Sequence, residues 1–169
     1  MRWIRATVAA RLPVAAAMTA CLLGVSAGTV TAAAAPAKDV AAWGETLEWD
    51  DGLAVTASQP VRFTPSDTSI GHDPGNQAVK WKIKVHNGTD EPFKAILMTV
   101  NVKSGADGET CEQIFDGKLG GGITGTVSPG SSGTAEFAFD VPSDQLNTVD
   151  LEVTPGLDYD GMHWVGAVK

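Results

Sequence analysis

The sequence predicts an all-β fold, in which about seven to eight short antiparallel strands form a two-sheet sandwich. Three observations predict this fold class. After residue 38 the chain consists of short runs of alternating apolar and polar residues, clusters of Gly, Pro, Asp and Asn separate those runs, and no window has a sustained helical period. Because the predicted strands have polar outer faces and no helix would cover them, two sheets packed face to face are the simplest arrangement.

The first strands are predicted around a turn and in the segment that follows it. The runs GETLEW and LAVTASQPVRF flank Asp-Asp-Gly and predict a hairpin or a bend between two sheets, and Pro60 indicates an edge or a bulge. The clearest strand is VKWKIKVH, where every second residue is apolar. Its inward residues are Val79, Trp81, Ile83 and Val85, and its outward residues are Lys80, Lys82, Lys84 and His86. Asn87-Gly88 then predicts a tight turn.

The later strands are predicted by the same alternation. AILMTVNVK, TAEFAFDVP, TVDLEVTP and MHWVG are the stronger candidates, and TCEQIF and a short run around Val127 are the others. The residues predicted to face the core are Ile96, Met98, Val100, Val102, Ala135, Phe137, Phe139, Val141, Val149, Leu151 and Val153. The residues predicted to face solvent are Glu136, Ala138, Asp140, Asp150 and Glu152. The irregular connections 64–76 and 116–124 are predicted surface loops, and we expect them to supply the main binding surface of the module.

Residues 1–37 have the three parts of a secretory signal peptide. A basic start precedes an uncharged apolar run, and TAAAAPA then offers small residues for cleavage between Ala34 and Ala37. The basic residues are Arg2, Arg5 and Arg11. We therefore predict a secreted, extracellular protein whose mature chain, residues 38–169, is one domain.

Two other fates of the leader are open. The uncharged run is long enough to span a membrane if it is not cleaved, although Ala, Gly and Thr make it weakly apolar. The segment MTAC loosely resembles a bacterial lipobox, which would attach a lipid to Cys21. Further apolar residues follow Cys21, where a lipoprotein usually has a polar tether, so cleavage is the favoured interpretation.

The charge of the chain excludes two classes of partner. The formal net charge is −8, and loss of the three leader arginines takes it to −11 because all 20 acidic residues remain. An acidic protein repels nucleic-acid phosphates and anionic lipids, so we expect neither as a partner. We expect a monomer after cleavage, with no membrane span.

The residues that usually carry catalysis or bind metals are scattered. Cys111 is the one cysteine outside the leader, and we predict a buried thiol rather than a nucleophile or an intermolecular disulfide. The three histidines are far apart, and no spacing is typical of zinc or of an activated serine. Asp158 and Asp160 open like a calcium loop, with Asp50 and Asp51 as conceivable neighbours, but a turn explains them as well. We predict no enzyme activity, no metal and no cofactor.

The candidate partner-binding residues are cationic or aromatic. The candidates are Lys80, Lys82, Lys84, Trp43 and Trp164. The lysines form one row, which either binds a partner or faces acidic residues on a neighbouring strand. The acidic residues considered are Glu136, Asp140, Asp150 and Glu152. The two tryptophans stand near segment ends, where an exposed ring could stack on a sugar or anchor a protein, and core packing is the alternative.

Three segments together resemble a known family. WDDGLAVTASQPVRFTPS, KWKIKVHNGTDEPF and VSPGSSGTAEFAFDVP are similar, in that order, to a family of bacterial secreted and lipoprotein domains of unknown function. The same pattern resembles, more distantly, that of mycobacterial immunoprotective extracellular antigens. The resemblance implies an immunoglobulin-like fold and supplies no catalytic motif. It favours a secreted, non-catalytic module that binds a protein or a cell-envelope component, with an envelope hydrolase or a metal-binding protein as the alternatives.

Overall fold

The computed structural model describes residues 39–169. The predicted signal peptide, its cleavage site and Cys21 lie outside these residues. In the part described, no helix is long and apolar enough to cross a membrane.

The described chain is built from short strands and one 3-10 helix. The strands are β1 (Val40–Ala41), β2 (Thr46–Glu48), β3 (Leu53–Ala57), β4 (Val61–Arg62), β5 (Gln77–Asn87), β6 (Phe93–Lys94), β7 (Thr99–Ser104), β8 (Glu109–Thr110), β9 (Glu112–Ile114), β10 (Thr126–Val127), β11 (Ser132–Val141), β12 (Val149–Thr154) and β13 (Met162–Gly166), and the helix is Ala95–Leu97. These 13 strands exceed the predicted seven to eight because many are pieces of two or three residues.

The strands form two main sheets, which confirms the predicted β-sandwich. One sheet has the order β1-β13-β12-β7-β8, and the other has the order β2-β3-β5-β11-β9 with β4 also paired to β5. A separate two-stranded pair joins β10 to β6. All strand pairs are antiparallel except β1 with β13, which run parallel. Pro60 lies in the break between β3 and β4, in agreement with the predicted interruption.

The core lies between the inner faces of the two main sheets. The long strand β5 pairs with β11 along ten residues and with β3 and β4 on its other side. Its four predicted inward residues are all fully buried, as are the three of β12. The ring of Trp81 packs against Phe139, with ring centroids 6.3 Å apart. Alternation therefore predicted the inner face of both sheets correctly.

Two features of the predicted faces are wrong. Ile96 was expected in the core but is 78% exposed, because the 3-10 helix interrupts the alternation before β7. Ala138 and Asp140 were expected at the surface but are buried. Strand β9 pairs beside Ala138, and a small apolar cluster covers this part of the outer face. Its members are Ala78, Ile114 and Ala138, with Phe63 and Leu119 packed against them.

One predicted turn and one predicted strand are in fact crossings between sheets. The next long strand after Asn87-Gly88 is β7, which belongs to the other sheet, and the φ of Gly88 is not positive. TCEQIF also divides, because β8 pairs with β7 and β9 pairs with β11. Cys111 lies between β8 and β9, where the chain passes from one sheet to the other.

Candidate functional site

The predicted lysine row lies on the outer face of β5. Lys82 and Lys84 are exposed, and Lys80 is partly buried with its Nζ 3.7 Å from Oε1 of Glu136. Both members of that ion pair are partly exposed to water, so it contributes about 0 to 1 kcal/mol. Glu136 also stands opposite Lys82 in the register of β5 and β11. The row therefore faces one of the four acidic residues considered.

The other three acidic residues do not face the row. The Asp140 carboxylate is buried, with Oδ1 2.6 Å from Nδ1 of His72 and Oδ2 accepting a hydrogen bond of 2.7 Å from the side chain of Asn76. Asp150 and Glu152 lie on β12 in the other sheet. The proposed pairing of these three with the lysines is wrong for two reasons. Asp140 lies on β11 beside β5, but its carboxylate is buried against His72 and Asn76. Asp150 and Glu152 lie in the other sheet, because alternation along one strand does not determine which strand lies beside it.

The two candidate tryptophans are parts of the core. Trp164 is fully buried and donates a hydrogen bond of 2.9 Å to the carbonyl oxygen of Glu45, so its ring offers no surface to a partner. Trp43 is half-buried, packs on Trp81 at 5.8 Å and donates to the carbonyl oxygen of Ala167 at 3.2 Å. The prediction that either ring is free to dock a partner is therefore wrong, because both rings pack within the domain.

The two predicted surface loops meet each other. Ile70 in the first loop and Phe115, which immediately precedes the second, exchange two backbone hydrogen bonds of 2.9 and 3.0 Å, and both side chains are exposed. Ser66 donates to the carboxylate of Asp116 from both its hydroxyl and its backbone N–H. These two hydrogen bonds lower the pKa of Asp116 below its ordinary value because they favour the ionised form. The loops are therefore tied into one structure.

Cys111 is buried, as predicted, and its surroundings do not activate it. Burial raises the pKa of the thiol above its ordinary value, and the interaction between Sγ and the hydroxyl of Ser104, 3.3 Å away, opposes this only in part. A raised pKa leaves little thiolate near neutral pH, and the thiolate is the nucleophile. The side chain acts as a small packing group between the sheets.

The acidic loops considered for calcium do lie together. Asp50, Asp51, Asp158 and Asp160 line a hollow of about 360 Å³. Within residues 39–169, no group of three or more His, Cys, Asp or Glu side chains is placed to hold a metal ion. The hydroxyl of Tyr159 donates to Oδ2 of Asp51 at 2.6 Å, so this carboxylate already joins the two loops.

A cleft of about 470 Å³, here called the end cleft, lies beside that hollow. Its lining residues are Asp51, residues 89–94, Leu97 and residues 155–159. They come from the turn between β2 and β3, the connection after β5, the 3-10 helix and the connection between β12 and β13. Hydrogen bonds hold these loops together: Gly88 N donates to Gly52 O at 3.1 Å, and Trp49 Nε1 donates to Asp160 O at 3.1 Å.

The end cleft combines exposed apolar side chains with carboxylates. Leu157 is 97% exposed and Leu97 is 52% exposed, and Ile96 is exposed beside Leu97. Phe93 is half-buried and packs against the main core. The carboxylates of the lining are Asp51, Asp90, Glu91 and Asp158, and its cation is Lys94. Grouped apolar exposure with a polar rim is typical of an interaction site.

Sequence reasoning missed the end cleft. PGLDYDG contains Leu157 in an otherwise polar turn, and an apolar residue in such a turn was the available signal. Leu97 was hidden because AILMTVNVK was interpreted as one continuous strand. The residues that line the end cleft come from distant parts of the chain, so only the tertiary fold brings them together.

Solved structures share this architecture at low sequence identity. The ycdA candidate lipoprotein of Bacillus subtilis matches with a TM-score of 0.57 and 14% identity over 70% of this chain. The match covers 37% of ycdA, so this chain corresponds to little more than a third of that protein. The yjhA protein of Bacillus subtilis matches with a TM-score of 0.59 and 12% identity, over 76% of this chain and 99% of yjhA.

A mycobacterial protein is also similar. MPT63, a secreted protein from Mycobacterium tuberculosis, matches with a TM-score of 0.51 and 19% identity, over 78% of this chain and 98% of that protein. No family model and no curated protein matches the sequence. The resemblance to bacterial secreted β-sandwich proteins is therefore confirmed at the level of fold.

Proposed function

We propose that the protein is a secreted, non-catalytic β-sandwich module that binds a protein or a cell-envelope component through the end cleft. Its mature form would be the monomeric domain of residues 38–169, and an immunoglobulin-like topology stays a prediction. The proposal takes its location from the leader of the sequence and from structural neighbours that include a secreted protein and a candidate lipoprotein.

One observation carries the choice of site: the grouping of exposed Leu97 and Leu157 around a cleft of about 470 Å³. Exposure of single apolar residues is common and needs no explanation, but a concave group with a polar rim favours a partner. The lysine row lacks a comparable apolar centre, since its adjoining hollow of about 400 Å³ offers Val61 among polar residues. We therefore place the primary site at the end cleft.

A photo-crosslinking experiment tests the site. The full chain is expressed with its own leader, and a photoreactive phenylalanine analogue replaces Leu157, Lys82 or Asp107 in three separate proteins. All three residues are exposed, so none of the replacements should disturb folding. We expect crosslinked partner from position 157 and none from position 107. A partner crosslinked from position 82 alone would transfer the site to the lysine row and overturn the proposal.

The same preparation tests the location. Intact mass of the exported protein should show a start between residues 35 and 38, as cleavage between Ala34 and Ala37 requires. Retention of residues 1–34, or a lipid-modified Cys21, would show that the protein is held at the membrane instead.

A further inference from the structure

We propose that the end cleft receives an extended, positively charged segment of a partner protein, with an apolar side chain of that segment seated against Leu97 and Leu157. This inference rests on the proposed function, because it names the chemistry of the partner at the same cleft. Two properties of the cleft carry it: the sign of its charge and its continuity with two neighbouring hollows.

The charge of the lining is strongly negative. Four carboxylates and one lysine line the end cleft. The carboxylates of Asp90, Glu91 and Asp158 are on exposed residues, where water screens them individually but their summed field remains. A chain of net charge −8 adds to that field from a distance. Positive groups are therefore drawn to the cleft, and negative groups are repelled.

The acidic surface continues beyond the cleft as a track. The hollow of about 360 Å³ shares Asp51, Asp158 and Tyr159 with the end cleft, and a third hollow of about 130 Å³ continues from Asp50 and Asp160. The third hollow adds the carboxylates of Asp39 and Glu48. Three adjoining hollows in a row suit an extended chain better than a compact ligand.

The apolar side chains give the track a fixed point. Leu97 and Leu157 stand at the end-cleft side of the track, and Pro92 and Pro155 lie beside them. An apolar side chain of the partner would bury these leucines, while its cationic residues meet the carboxylates along the track. Apolar contact would fix the register, and charge would speed association.

The half-buried aromatic pair in the middle of the track also suits cations. The rings of Trp49 and Tyr159 are 5.8 Å apart and meet edge to face. A lysine or arginine side chain that passes over such a ring is attracted to its negative face. This is a further reason to expect basic residues in the segment.

A second copy of this chain is the main rival occupant, because the lysine row is cationic. That row lies on the outer face of β5, and β5 is paired with β11 on one side and with β3 on the other. It cannot enter a cleft as a free extended segment. Self-association is therefore an outcome that the experiment must detect and that would count against the proposal.

The test uses three short synthetic peptides and the full chain expressed with its own leader. In the first peptide lysine alternates with leucine, in the second glutamate replaces lysine, and in the third serine replaces leucine. Isothermal titration at about 50 mM and about 300 mM NaCl measures each Kd. We expect the first peptide to bind at least about tenfold more tightly than either of the others, and higher salt to weaken it about tenfold.

Variants of exposed residues separate the site from general charge. D90N/E91Q/D158N should weaken the first peptide about tenfold and remove most of the salt dependence, and L157S should weaken it about tenfold at both salt concentrations. The matched control D67N/D107N/D144N removes the same number of exposed carboxylates outside the track and should change binding less than twofold. L97S makes the same change as L157S at the other exposed leucine of the cleft.

Three results would overturn the inference. These are equal affinity for the lysine and glutamate peptides, equal losses in the cleft and control triples, and assembly of the chain with itself that K80E/K82E/K84E abolishes. Failure of the proposed function is distinguished by crosslinking. Suppose that the photoreactive residue at position 157 still captures a partner, and that adding D90N/E91Q/D158N does not reduce the amount captured. The cleft then binds a partner of different chemistry.

Discussion

At the scale of single residues, buried polar side chains hold the loops in place. Asn87 is fully buried, and its side-chain nitrogen donates to the carbonyl oxygens of Glu91 and Val127, each at 2.8 Å. Its side-chain oxygen accepts from both the N–H and the hydroxyl of Thr89. Asn87 was predicted as a turn residue, and its actual role is to join the end of β5 to two other segments.

Replacement of Asn87 tests this role. N87A removes the donors of two carbonyls and the acceptor of Thr89, so we expect the free energy of unfolding to fall by about 3 kcal/mol. N147A is the control, because Asn147 is exposed, and it should change stability by less than about 0.5 kcal/mol. Urea unfolding followed by tryptophan fluorescence measures both, and equal stabilities would contradict the role.

The single tyrosine of the chain reports the contact between two loops. Burial, together with the hydrogen bond to Asp51 and the negative charges of Asp51 and Asp158, raises the pKa of Tyr159 to about 12. The folded state therefore favours the neutral phenol. Stability from this group is fully present below the ordinary tyrosine pKa of about 10 and is lost as pH rises through about 12.

Absorbance of tyrosinate against pH measures this directly. We expect a midpoint near 12 in the folded protein, a midpoint near 10 in urea, and an intermediate midpoint in D51N. Circular dichroism at each pH verifies that the protein is folded. A midpoint near 10 in the folded parent would show that Tyr159 does not hold Asp51.

At the scale of elements, the alternation of β5, β7, β11 and β12 determined which faces meet, but the loops were placed by contacts between distant segments. Gly71 shows why. Its φ is +87°, and a Cβ there would overlap the carbonyl oxygen of Gln113, so only glycine fits beside the bridge of Ile70 and Phe115. The connection 64–76 is irregular in sequence and specific in structure.

A pair of alanine substitutions separates backbone conformation from overlap. Gly108 also has a positive φ, +66°, but a Cβ there would have no neighbour within 4 Å. We expect G108A to cost about 1 kcal/mol, and G71A to cost about 1 to 3 kcal/mol more because the bridge must open. Thermal unfolding measures both, and faster proteolysis of the loop in G71A would locate the change. Equal losses would refute the overlap.

At the scale of the whole molecule, charge is distributed unevenly over the sandwich. The cations of β5 lie on the outer face of one sheet, and the carboxylates of the three hollows gather where the loops after β2, β5 and β12 meet. From the net charge alone we expect neither nucleic acid nor anionic lipid as a partner. The peptide titrations at two salt concentrations measure how strongly the acidic track attracts positive charge.

The sequence by itself determined the strands with a buried inner face. Apolar residues at every second position all lie on one face wherever the chain is extended. It also determined the composition of the turns and the low reactivity expected of Cys111. Only the tertiary structure decided which strands are neighbours, that Trp164 and Asp140 are buried, and that Leu97 and Leu157 share a cleft with carboxylates. Those facts depend on pairings between residues far apart in the chain, and local alternation carries no information about such pairings.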